Sequence, residues 1–539
     1  SEIRDDRSGS GTGMRPGVFG PTGTRVMAGS FYALLNRWWG DAGRIALSTP
    51  EGRRLSYADL DLMAARIAGA LADQGAVPGD RVAFQVEKSP EALALYLSCL
   101  RAGFVAMPLN PAYQAGEVAY LLGDAEPAVL VADPSRLDSL KPVANAAKVR
   151  TVLDLAPDGT GSLTAAAGTA APLPVAALES SSLAAMLYTS GTTGRPKGAP
   201  LSHANIASNA EVLVGAWGFT ERDVLLHALP IFHAHGLFVA CHCALLSGAS
   251  MLWLAKFDAH QVMDLLPRAT VLMGVPTFYT RLLADPAFGP ATAGGMRLFI
   301  SGSAPLLAET HREFERRTGQ RILERYGMSE ILMHTSNPLV GERRPGSVGP
   351  VLPGSEVRIV GDDGGVLPAG EVGEVQVRGP NVFSGYWRSP EKTAESFTAD
   401  GWFRTGDLGR FDAAGFLYVV GRNKELIVLP DGKKLFPEPV EKLYAATPLI
   451  HEIGIFEHQG VLAALVVLDE QTVRERGAMR AAQLLREEIE TITARLPPYQ
   501  RIRTYRVTRD ALPRTQLGKL RRHLLPALFE EAVHPTHAP

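Results

Sequence analysis

Apolar residues in the first third of the chain recur with two different periods. Between residues 57 and 71 they have the spacing of a helix that buries one face. Short apolar runs at 81–85 and 128–132 have the length and composition of buried strands. Because helical and strand segments follow one another in turn, the pattern predicts a parallel or mixed sheet with helices packed against it.

The pattern changes after residue 349 to short alternating strands that are separated by Gly, Pro and Asp turns. Strands predicted at 356–360, 374–378 and 416–420 indicate a β-rich subdomain. Beyond it, mixed strands and helices form a further segment that ends in a predicted helix at 521–532. We therefore expect an α/β protein with these parts: a flexible tail at 1–26, a large domain at 27–420 that includes the β-rich subdomain, a hinge at 421–425, and a small α+β domain at 426–539.

Length, charge and cysteine content argue against several classes of protein. The 539 residues are too many for one ordinary core, and the net charge of −2 lacks the basic excess of a nucleic-acid-binding protein. Three cysteines cannot form a disulfide framework, which favours a reducing cytoplasm. Since no apolar run reaches roughly 18 residues, and the tail lacks a signal-peptide pattern, we expect neither a nucleic-acid nor a membrane partner.

The segment Tyr-Thr-Ser-Gly-Thr-Thr-Gly-Arg-Pro-Lys-Gly at 188–198 follows an apolar run directly. Hydroxyls and glycine amides can surround phosphate oxygens, and Arg195 and Lys197 can neutralise their charge. The P-loop spacing is not met, because Lys197 follows Gly194 by three residues and is followed by Gly198. The sequence thus predicts a phosphate loop of another class, with these contact residues: Thr189, Ser190, Gly191, Thr192, Thr193, Gly194 and Lys197.

Four later segments accompany this loop in a fixed order: Tyr-Gly-Met-Ser-Glu at 326–330, Thr-Gly-Asp at 405–407, Gly-Arg at 421–422, and Pro-Arg-Thr-Gln-Leu-Gly-Lys at 513–519. With them the chain, from about residue 30 to its end, resembles the adenylate-forming superfamily of acyl-CoA synthetases, luciferases and nonribosomal-peptide adenylation domains. The resemblance implies a large N-terminal domain and a small, mobile C-terminal domain. It also implies a two-step reaction: a carboxylate attacks the α-phosphate of ATP, and a thiol then displaces AMP from the acyl adenylate.

The resemblance also implies roles for single residues. Glu330 would hold Mg²⁺, Asp407 and Arg422 would contact the ribose, and Lys519 would bridge the carboxylate and the α-phosphate. Further nucleotide contacts would come from Gly302, Ser303, Ala304, Glu324, Arg325, Tyr326, Gly327, Met328 and Ser329. Ser329 replaces the usual Thr of the family and keeps the hydroxyl. Lys424 would be the hinge residue.

Histidine and cysteine are concentrated between residues 233 and 243, which raises the question of a metal site. The Cys-x-Cys spacing of Cys241 and Cys243 differs from that of structural zinc sites. The surrounding segment 238–246 has the composition of an apolar helix, in which cysteine acts as a small hydrophobe. We interpret the cysteines as core residues. The resemblance places His233 beside the acyl pocket as a catalytic and substrate-contacting residue and leaves the role of His235 open.

The segments 272–283, 296–306, 323–328 and 335–338 resemble most the malonyl-CoA synthetases within the superfamily. A dicarboxylate substrate requires a cation, because a buried carboxylate without a partner is costly. Arg297 is the candidate cation, with Ser303 and Thr277 as hydrogen-bond donors.

The small domain departs from that subfamily. Its segment 426–441 resembles long-chain fatty-acid and acyl-carrier synthetases, and the stretch after Glu452 lacks an extended loop that lies near the CoA path in relatives. The leading hypothesis is a Mg²⁺- and ATP-dependent ligase that joins a small, malonate-like carboxylic acid to CoA. Two alternatives stay open. One is an adenylate-forming enzyme with another acid or acceptor, such as an aryl or fatty acid, a carrier protein, or nitrite in a diazotisation. The other is a non-catalytic nucleotide-binding protein.

Overall fold

A computed structural model describes residues 29–189, 195–430, 433–514 and 520–532. Its strands, in chain order, are β1 (Ile45–Ser48), β2 (Arg54–Ser56), β3 (Arg81–Gln85), β4 (Val105–Pro108), β5 (Val129–Ala132), β6 (Thr151–Asp154), β7 (Leu183–Thr189), β8 (Lys197–Ser202), β9 (Val224–His227), β10 (Ser250–Trp253), β11 (Val271–Gly274), β12 (Leu298–Ser301), β13 (Leu323–Met328), β14 (Leu332–Ser336), β15 (Glu356–Val360), β16 (Gly373–Arg378), β17 (Phe403–Phe411), β18 (Leu417–Arg422), β19 (Ile427–Val428), β20 (Lys434–Leu435), β21 (Ile450–His458), β22 (Val461–Leu468) and β23 (Thr504–Thr508).

The α-helices are α1 (Phe31–Leu34), α2 (Tyr57–Asp73), α3 (Pro90–Ala102), α4 (Ala115–Ala125), α5 (Leu137–Ala146), α6 (Ser162–Thr169), α7 (His203–Ala216), α8 (His242–Ser247), α9 (Ala259–Leu265), α10 (Pro276–Leu283), α11 (Pro290–Ala293), α12 (Ala308–Thr318), α13 (Pro390–Ser396), α14 (Pro437–Tyr444), α15 (Glu470–Arg476), α16 (Ala478–Arg495) and α17 (Leu525–Glu531). A π-helical segment, His235–Cys241, leads directly into α8.

Two sheets form most of the large domain. The first has the order β6-β5-β3-β4-β7-β8, and it is parallel except for β8, which pairs antiparallel with β7 at the edge. The second has the order β14-β13-β12-β11-β9-β10-β1-β2, with antiparallel pairing only at β14 and β2. Strands such as β4 and β11 are apolar along their length because helices cover both faces of a parallel sheet.

Helix α3 connects the cores of the two sheets. Every residue of it except Arg101 is buried, and apart from Glu91, which pairs with Arg53, and Ser98, which donates to the Leu95 carbonyl, these residues are apolar. Its Tyr96 hydroxyl and His242 Nε2, on α8, share a hydrogen bond of 2.7 Å. In chain order, α3 connects β3 to β4 of the first sheet, and α8 belongs to the connection from β9 to β10 of the second sheet. This contact therefore joins the two layers.

The β-rich subdomain is the antiparallel sheet β15-β16-β17-β18. The C-terminal domain contains the β19–β20 hairpin and the sheet β21-β22-β23. Alternate residues of β22 face two separate cores: Leu462, Ala464 and Val466 pack with α14 and α16, and Ala463 and Leu465 pack with α17. The turn between β21 and β22 is two residues long, and Gln459 and Gly460 both have positive φ, as a tight hairpin requires.

The α/β fold class, with a large N-terminal domain, a β-rich subdomain and a small α+β domain, is confirmed. One element was not expected: the chain after the phosphate loop continues as strand β8, so the loop lies in a hairpin and not at the start of a helix. Among the described residues, no helix combines the length and the apolar character needed to cross a membrane.

Candidate active site

The predicted site residues of the large domain lie at the carboxyl ends of three strands, where ligands bind in open α/β sheets. Thr189 ends β7 of the first sheet, whereas Gly302 directly follows β12 and Met328 ends β13, which are neighbours in the second sheet. A hydrogen bond from Thr189 to Glu330, two residues after Met328, brings the ends of the two sheets together. The β-rich subdomain adds Asp407, on β17, to this region through its contact with Tyr326.

Glu330 lies in the turn between β13 and β14 and is only 4% exposed. Its Oε1 accepts hydrogen bonds from the hydroxyls of Thr189, at 3.2 Å, and Tyr386, at 3.0 Å. These contacts join the turn to the end of β7 and to the segment before α13. The carboxylate is thereby fixed beside the base of the phosphate loop. Tyr386 was not predicted from the sequence.

Lys197 begins β8, directly opposite Thr189 in the antiparallel pairing. Its Nζ lies 4.2 Å from the centre of the Tyr386 ring, a cation–π contact. The backbone N–H of Trp387 donates to the carbonyl of Gly198 at 2.8 Å, which holds Tyr386 against the hairpin. The phosphate-loop cation and the Glu330 carboxylate therefore share one aromatic neighbour.

Asp407 and Arg422 are direct partners on the adjacent strands β17 and β18. Arg422 Nε lies 3.3 Å from Asp407 Oδ1, and the Tyr326 hydroxyl donates to Oδ2 at 2.5 Å. Burial and the Asp407 charge hold the pKa of Tyr326 well above its usual value, so the phenol keeps its proton. The three groups form a network whose carboxylate can accept hydrogen bonds from ribose hydroxyls.

The segment after β12 adopts an unusual backbone. Ser303 is exposed and has φ +71°, a left-handed conformation that is uncommon for a residue with a side chain. Its hydroxyl lies 3.2 Å from Nδ1 of His235, the first residue of the π-helical segment. Sequence reasoning selected His233 for the acyl pocket, but His235 is the histidine that contacts Ser303. The exposed Ala304 follows in the same segment.

Arg325 lies on β13 beneath Gly302. A Cβ at Gly302 would fall 2.2 Å from Arg325 Cζ, so the guanidinium occupies the space that a side chain at 302 would need. Arg325 is 4% exposed, and burial lowers its pKa to about 10. The preceding Glu324 is also buried; its Oε1 accepts the Leu306 N–H at 3.2 Å, and burial raises its pKa to about 7.

The turn from β13 to Glu330 depends on Gly327. The pairing of β13 with β14 is irregular after Tyr326, and a Cβ at Gly327 would lie 1.9 Å from the Leu332 carbonyl oxygen. Only glycine allows this close approach. Met328 then ends the strand, and Ser329 follows it in the turn that presents Glu330.

His233 and Thr277 lie close to an apolar cavity of about 300 Å³. Phe232 and Phe278, their immediate neighbours in sequence, line that cavity. The His233 ring packs on Phe232 with centroids 4.3 Å apart, and burial lowers its pKa to about 4, so the imidazole is neutral at pH 7. Thr277 is exposed in the first turn of α10.

The expectation that Arg297 faces the acyl group is wrong. Arg297 precedes β12, whereas the site residues follow it, so the two lie at opposite ends of the strand, roughly 15 Å apart at 3.3 Å per residue. Its guanidinium binds both oxygens of Asp223, at 2.7 and 2.9 Å, and the carbonyl of Trp217. Arg297 is a structural residue at the amino end of the sheet.

Several predicted site residues cannot be placed. Ser190, Gly191, Thr192, Thr193, Gly194 and Lys519 lie outside the described residues. For Lys424 the backbone is described, in a short 3₁₀ turn at Asn423–Glu425, but the side chain is not.

Part of the histidine- and cysteine-rich segment belongs to a buried network that the sequence did not reveal. Lys88 Nζ lies 2.8 Å from His227 Nδ1, donates to the His227 carbonyl and packs 4.3 Å from the centre of the Trp253 ring. His227 Nε2 in turn lies 3.3 Å from Cys241 Sγ. Burial raises the pKa of the Cys241 thiol to about 12, so the thiol is protonated and unreactive.

Comparison with known families and structures gives this arrangement a context. Residues 37–387 match the model of the AMP-binding enzyme family, and residues 424–538 match that of the AMP-binding enzyme C-terminal domain. The chain belongs to the AMP-binding enzyme family. The second match begins within the predicted hinge at 421–425.

Two curated relatives and one solved structure illustrate the similarity. The chain is 34% identical to the mitochondrial malonate–CoA ligase ACSF3 of Homo sapiens, over 88% of each protein. It is 35% identical to the indoleacetate–CoA ligase of Aromatoleum aromaticum, over 89% of this chain and 94% of that one. ATP-bound MatB from Rhodopseudomonas palustris superposes with a TM-score of 0.86 at 45% identity, over 94% and 99% of the two chains. The predicted enzyme class, an AMP-forming acyl-CoA synthetase that uses ATP and CoA, is confirmed by these matches.

Mg²⁺, which the family implies, is compatible with the carboxylate of Glu330. Mg²⁺ is usually held by one or two carboxylates together with substrate phosphates. Within the described residues, both hydrogen bonds to Glu330 fall on Oε1, so Oε2 can serve a cation. When bound there, the ion would neutralise phosphate charge.

Proposed function

We propose that the enzyme activates a short dicarboxylic acid such as malonate as its acyl adenylate and transfers the acyl group to CoA. The proposal for the acid rests on the malonate–CoA ligases among the relatives and on the similarity to MatB. The relatives also include ligases for indoleacetate and long-chain fatty acids, so family membership alone leaves the acid open.

In the first step, a carboxylate oxygen of the acid attacks the α-phosphorus of ATP, and the bond from this phosphorus to pyrophosphate breaks. Lys197 faces the phosphates and lowers the repulsion that an anionic nucleophile meets. Thr189 and Tyr386 hold the Glu330 carboxylate in place through their hydroxyls. Because these partners are present before substrates bind, little rearrangement of the carboxylate is required.

Asp407, Tyr326 and Arg422 fix the nucleoside. The Asp407 carboxylate accepts ribose hydroxyls while Arg422 and Tyr326 fix its orientation. This positions the α-phosphorus relative to the acid, and such positioning lowers the barrier without direct participation in bond making.

In the second step, the sulfur of CoA attacks the acyl carbonyl carbon, the bond to AMP breaks, and the thiol proton leaves to solvent. The neutral imidazole of His233 packs on Phe232, which lines the 300 Å³ cavity. Lys519 retains the role in the first step that the family resemblance implies.

The observation that carries the proposal is a pair of buried carboxylates, Glu330 beside the base of the phosphate loop and Asp407 beside Tyr326, whose charges both act on Arg422. Buried carboxylates are costly unless they serve partners or ligands. Two of them in these positions favour a phosphate-bound cation and a ribose as ligands.

The test is pyrophosphate release with a panel of acids, with acyl-CoA measured by mass spectrometry. With ATP and Mg²⁺ we expect malonate to release about one pyrophosphate per enzyme, and with CoA also present to release it continuously and to give a CoA thioester. A panel in which no acid releases pyrophosphate contradicts the ligase. If malonate is adenylated but no thioester forms in the presence of CoA, CoA is not the acyl acceptor, and a carrier protein or a non-thiol nucleophile is favoured.

A further inference from the structure

Lys88 and His227 form a buried pair of an amine and an imidazole. Lys88 Nζ lies 2.8 Å from His227 Nδ1 and donates to the His227 carbonyl at 2.8 Å. On the other side of the ring, His227 Nε2 lies 2.8 Å from the carbonyl oxygen of Gly236. Because a carbonyl oxygen only accepts hydrogen bonds, Nε2 carries the ring proton and Nδ1 presents its lone pair to Lys88. An amine is thus held against a base that a third group orients, which is the arrangement that activates nucleophiles in enzymes.

The surroundings of Lys88 favour the neutral form of its amine. Within the described parts of the chain, its side-chain partners are His227 and the Trp253 ring, and no carboxylate is among them. Burial lowers the pKa of Lys88 to about 7, and burial together with the Lys88 charge lowers the pKa of His227 well below its usual value. Near pH 7 about half of the Lys88 side chains are therefore neutral, compared with about 0.04% for an amine whose pKa is about 10.4. Only the neutral amine can attack an electrophile.

Lys88 also lines the apolar cavity of about 300 Å³. Phe232 and Phe278, which stand next to residues expected at the acyl group, line the same cavity. Glu87 and Lys256 line it too and are exposed, so the cavity is open to solvent on their side. A small acyl group can therefore enter the cavity while a second carboxylate on it stays hydrated.

The order of the strands relates this pair to the expected position of the acyl adenylate. His227 ends β9, and Gly302 directly follows β12, two strands away in the second sheet. Neighbouring strands lie about 4.8 Å apart, so the two positions are roughly 10 Å apart along the carboxyl edge of that sheet. Lys88 follows β3 of the first sheet, and Phe278 lies on α10, which follows β11. The cavity is thus lined from the side of the amine and from the side of the acyl group.

We propose that Lys88 is a site of self-acylation, at which its ε-amine takes the acyl group from the enzyme's own acyl adenylate when no acceptor thiol is present. This inference rests on the proposed function, which supplies the acyl adenylate. The Nζ lone pair attacks the acyl carbonyl carbon, a C–N bond forms, and the bond from that carbon to the oxygen of AMP breaks. One amine proton passes to His227 Nδ1 and on to solvent. The other stays on the amide nitrogen and keeps its hydrogen bond to the His227 carbonyl.

The experiment incubates the full-length enzyme with ATP, Mg²⁺ and malonate but without CoA, and it locates malonyl groups by peptide mass spectrometry. Lys256, an exposed amine of the same cavity, is the internal reference. We expect at least about 10-fold more label at Lys88 than at Lys256 at pH 7, because Lys88 combines a neutral amine with an adjacent base. Saturating CoA should lower the label at Lys88 by at least about 10-fold, because the thiol competes for the same carbonyl carbon.

Two variants and a pH profile test the chemistry of the pair. His227→Gln keeps a hydrogen-bond acceptor beside Lys88 but cannot take a proton, so the rate of labelling at Lys88 should fall by about 100-fold. Label at Lys256 should stay within about 2-fold in that variant, and thermal unfolding and pyrophosphate release check its folding. Lys256→Met is the matched control and should leave the label at Lys88 within about 2-fold. In wild type, the labelling rate at Lys88 should rise with pH and level off above about pH 7, as its amine loses its proton.

The outcomes separate the inference from the proposed function. Label confined to Lys256 and other exposed lysines, or label at Lys88 that does not depend on His227, would overturn the role of Lys88 while the ligase activity stands. If wild type releases pyrophosphate with no acid, the proposed function fails, and trace acetic anhydride then serves as a small neutral acyl donor. Acetyl label that favours Lys88 over Lys256 and depends on His227 would still support the reactive amine, and its absence would overturn it.

Discussion

The two ends of the cleft differ in how their polar groups are satisfied. At the nucleotide end, Glu330 and Asp407 already have hydroxyl or guanidinium partners from the protein itself. At the acyl end, Arg325 and His235 have buried nitrogens without partners among the described residues. Carboxylates that already have partners can receive a ligand with little rearrangement, whereas the buried nitrogens of Arg325 and His235 have hydrogen-bonding capacity that the described residues do not use.

The largest effect is expected from Glu330→Gln, which keeps the shape of the side chain and removes its charge. Loss of the carboxylate that is proposed to bind Mg²⁺ should cost several kcal/mol in transition-state stabilisation, or about 1000-fold in kcat for pyrophosphate release. The loss should be equal for malonate and for malonamate, in which a neutral amide replaces one carboxylate, because it occurs at the nucleotide end. Tyr386→Phe is the control: it removes one hydrogen bond to Oε1 and should cost about 10-fold or less. An acid-dependent loss in Glu330→Gln would contradict the separation of the two ends.

Gly302→Ala tests the acyl end without removing its charge. The new methyl group would fall 2.2 Å from Arg325 Cζ, so the guanidinium must move. We expect kcat/KM for malonate to fall by about 100-fold, because the displaced guanidinium disturbs the packing of the segment after β12. Because Gly302 is also expected to contact the nucleotide, the KM for ATP is measured in parallel. A loss that appears only in the KM for ATP would contradict the arrangement of Arg325 beneath Gly302.

Arg297→Met serves as the matched control for Arg325, since it removes an arginine at the other end of a neighbouring strand. It leaves Asp223 buried without its guanidinium partner, and the free energy of unfolding should fall by about 3 kcal/mol. Urea denaturation measures this loss. The ratio of kcat/KM for malonate to that for malonamate should stay within about 2-fold of wild type, and a larger change would restore Arg297 as a selectivity residue.

The smallest effect is expected at Lys88, a second buried cation. Burial lowers the pKa of Lys88 to about 7. Between pH 7 and about 10 the unfolded chain binds a proton at this lysine that the native protein lacks, so stability rises with pH in that window. From pH 7 to 9 the gain should be on the order of 2 kcal/mol. In Lys88→Met the gain should be absent, and unfolding in urea at the two pH values measures the difference.

His227 and Cys241 do not confound this test, because the pKa of His227 lies well below the window and that of Cys241 is raised to about 12. Equal pH dependence in both proteins would contradict the lowered pKa of Lys88.

Much of the fold could be predicted from the sequence because hydrophobic periodicity depends directly on burial. The strand at 81–85 and the helix at 308–318 have the predicted bounds. Strand β8 was missed because Gly198 and Pro200 are unfavourable in strands. The structure accommodates Pro200 because β8 is an edge strand, where one side of the backbone forms no ladder.

The site residues were predicted with mixed success, because some follow from local sequence motifs and others depend on the packed structure. Glu330 and Asp407 stand in motifs whose residue types follow from phosphate and ribose chemistry, and the structure places both in one cleft. The error at Arg297 was avoidable in principle, since it precedes its strand and ligands bind at the carboxyl ends. The unpartnered nitrogens of Arg325 within the described residues could not be found in the sequence, because the lack of a partner is a property of the packed structure.

The pairing of Asp407 with Arg422 has a mechanical consequence. Arg422 is the last residue of β18, and its backbone is held in register with Asp407 by the strand ladder. A residue held in this way cannot swivel without breaking ladder hydrogen bonds, so the first backbone free to turn is Asn423. A pivot in the 3₁₀ turn at Asn423–Glu425, where the hinge is expected, would therefore begin one residue after the Asp407–Arg422 pair. Rotation there would move the C-terminal domain and leave that pair in place.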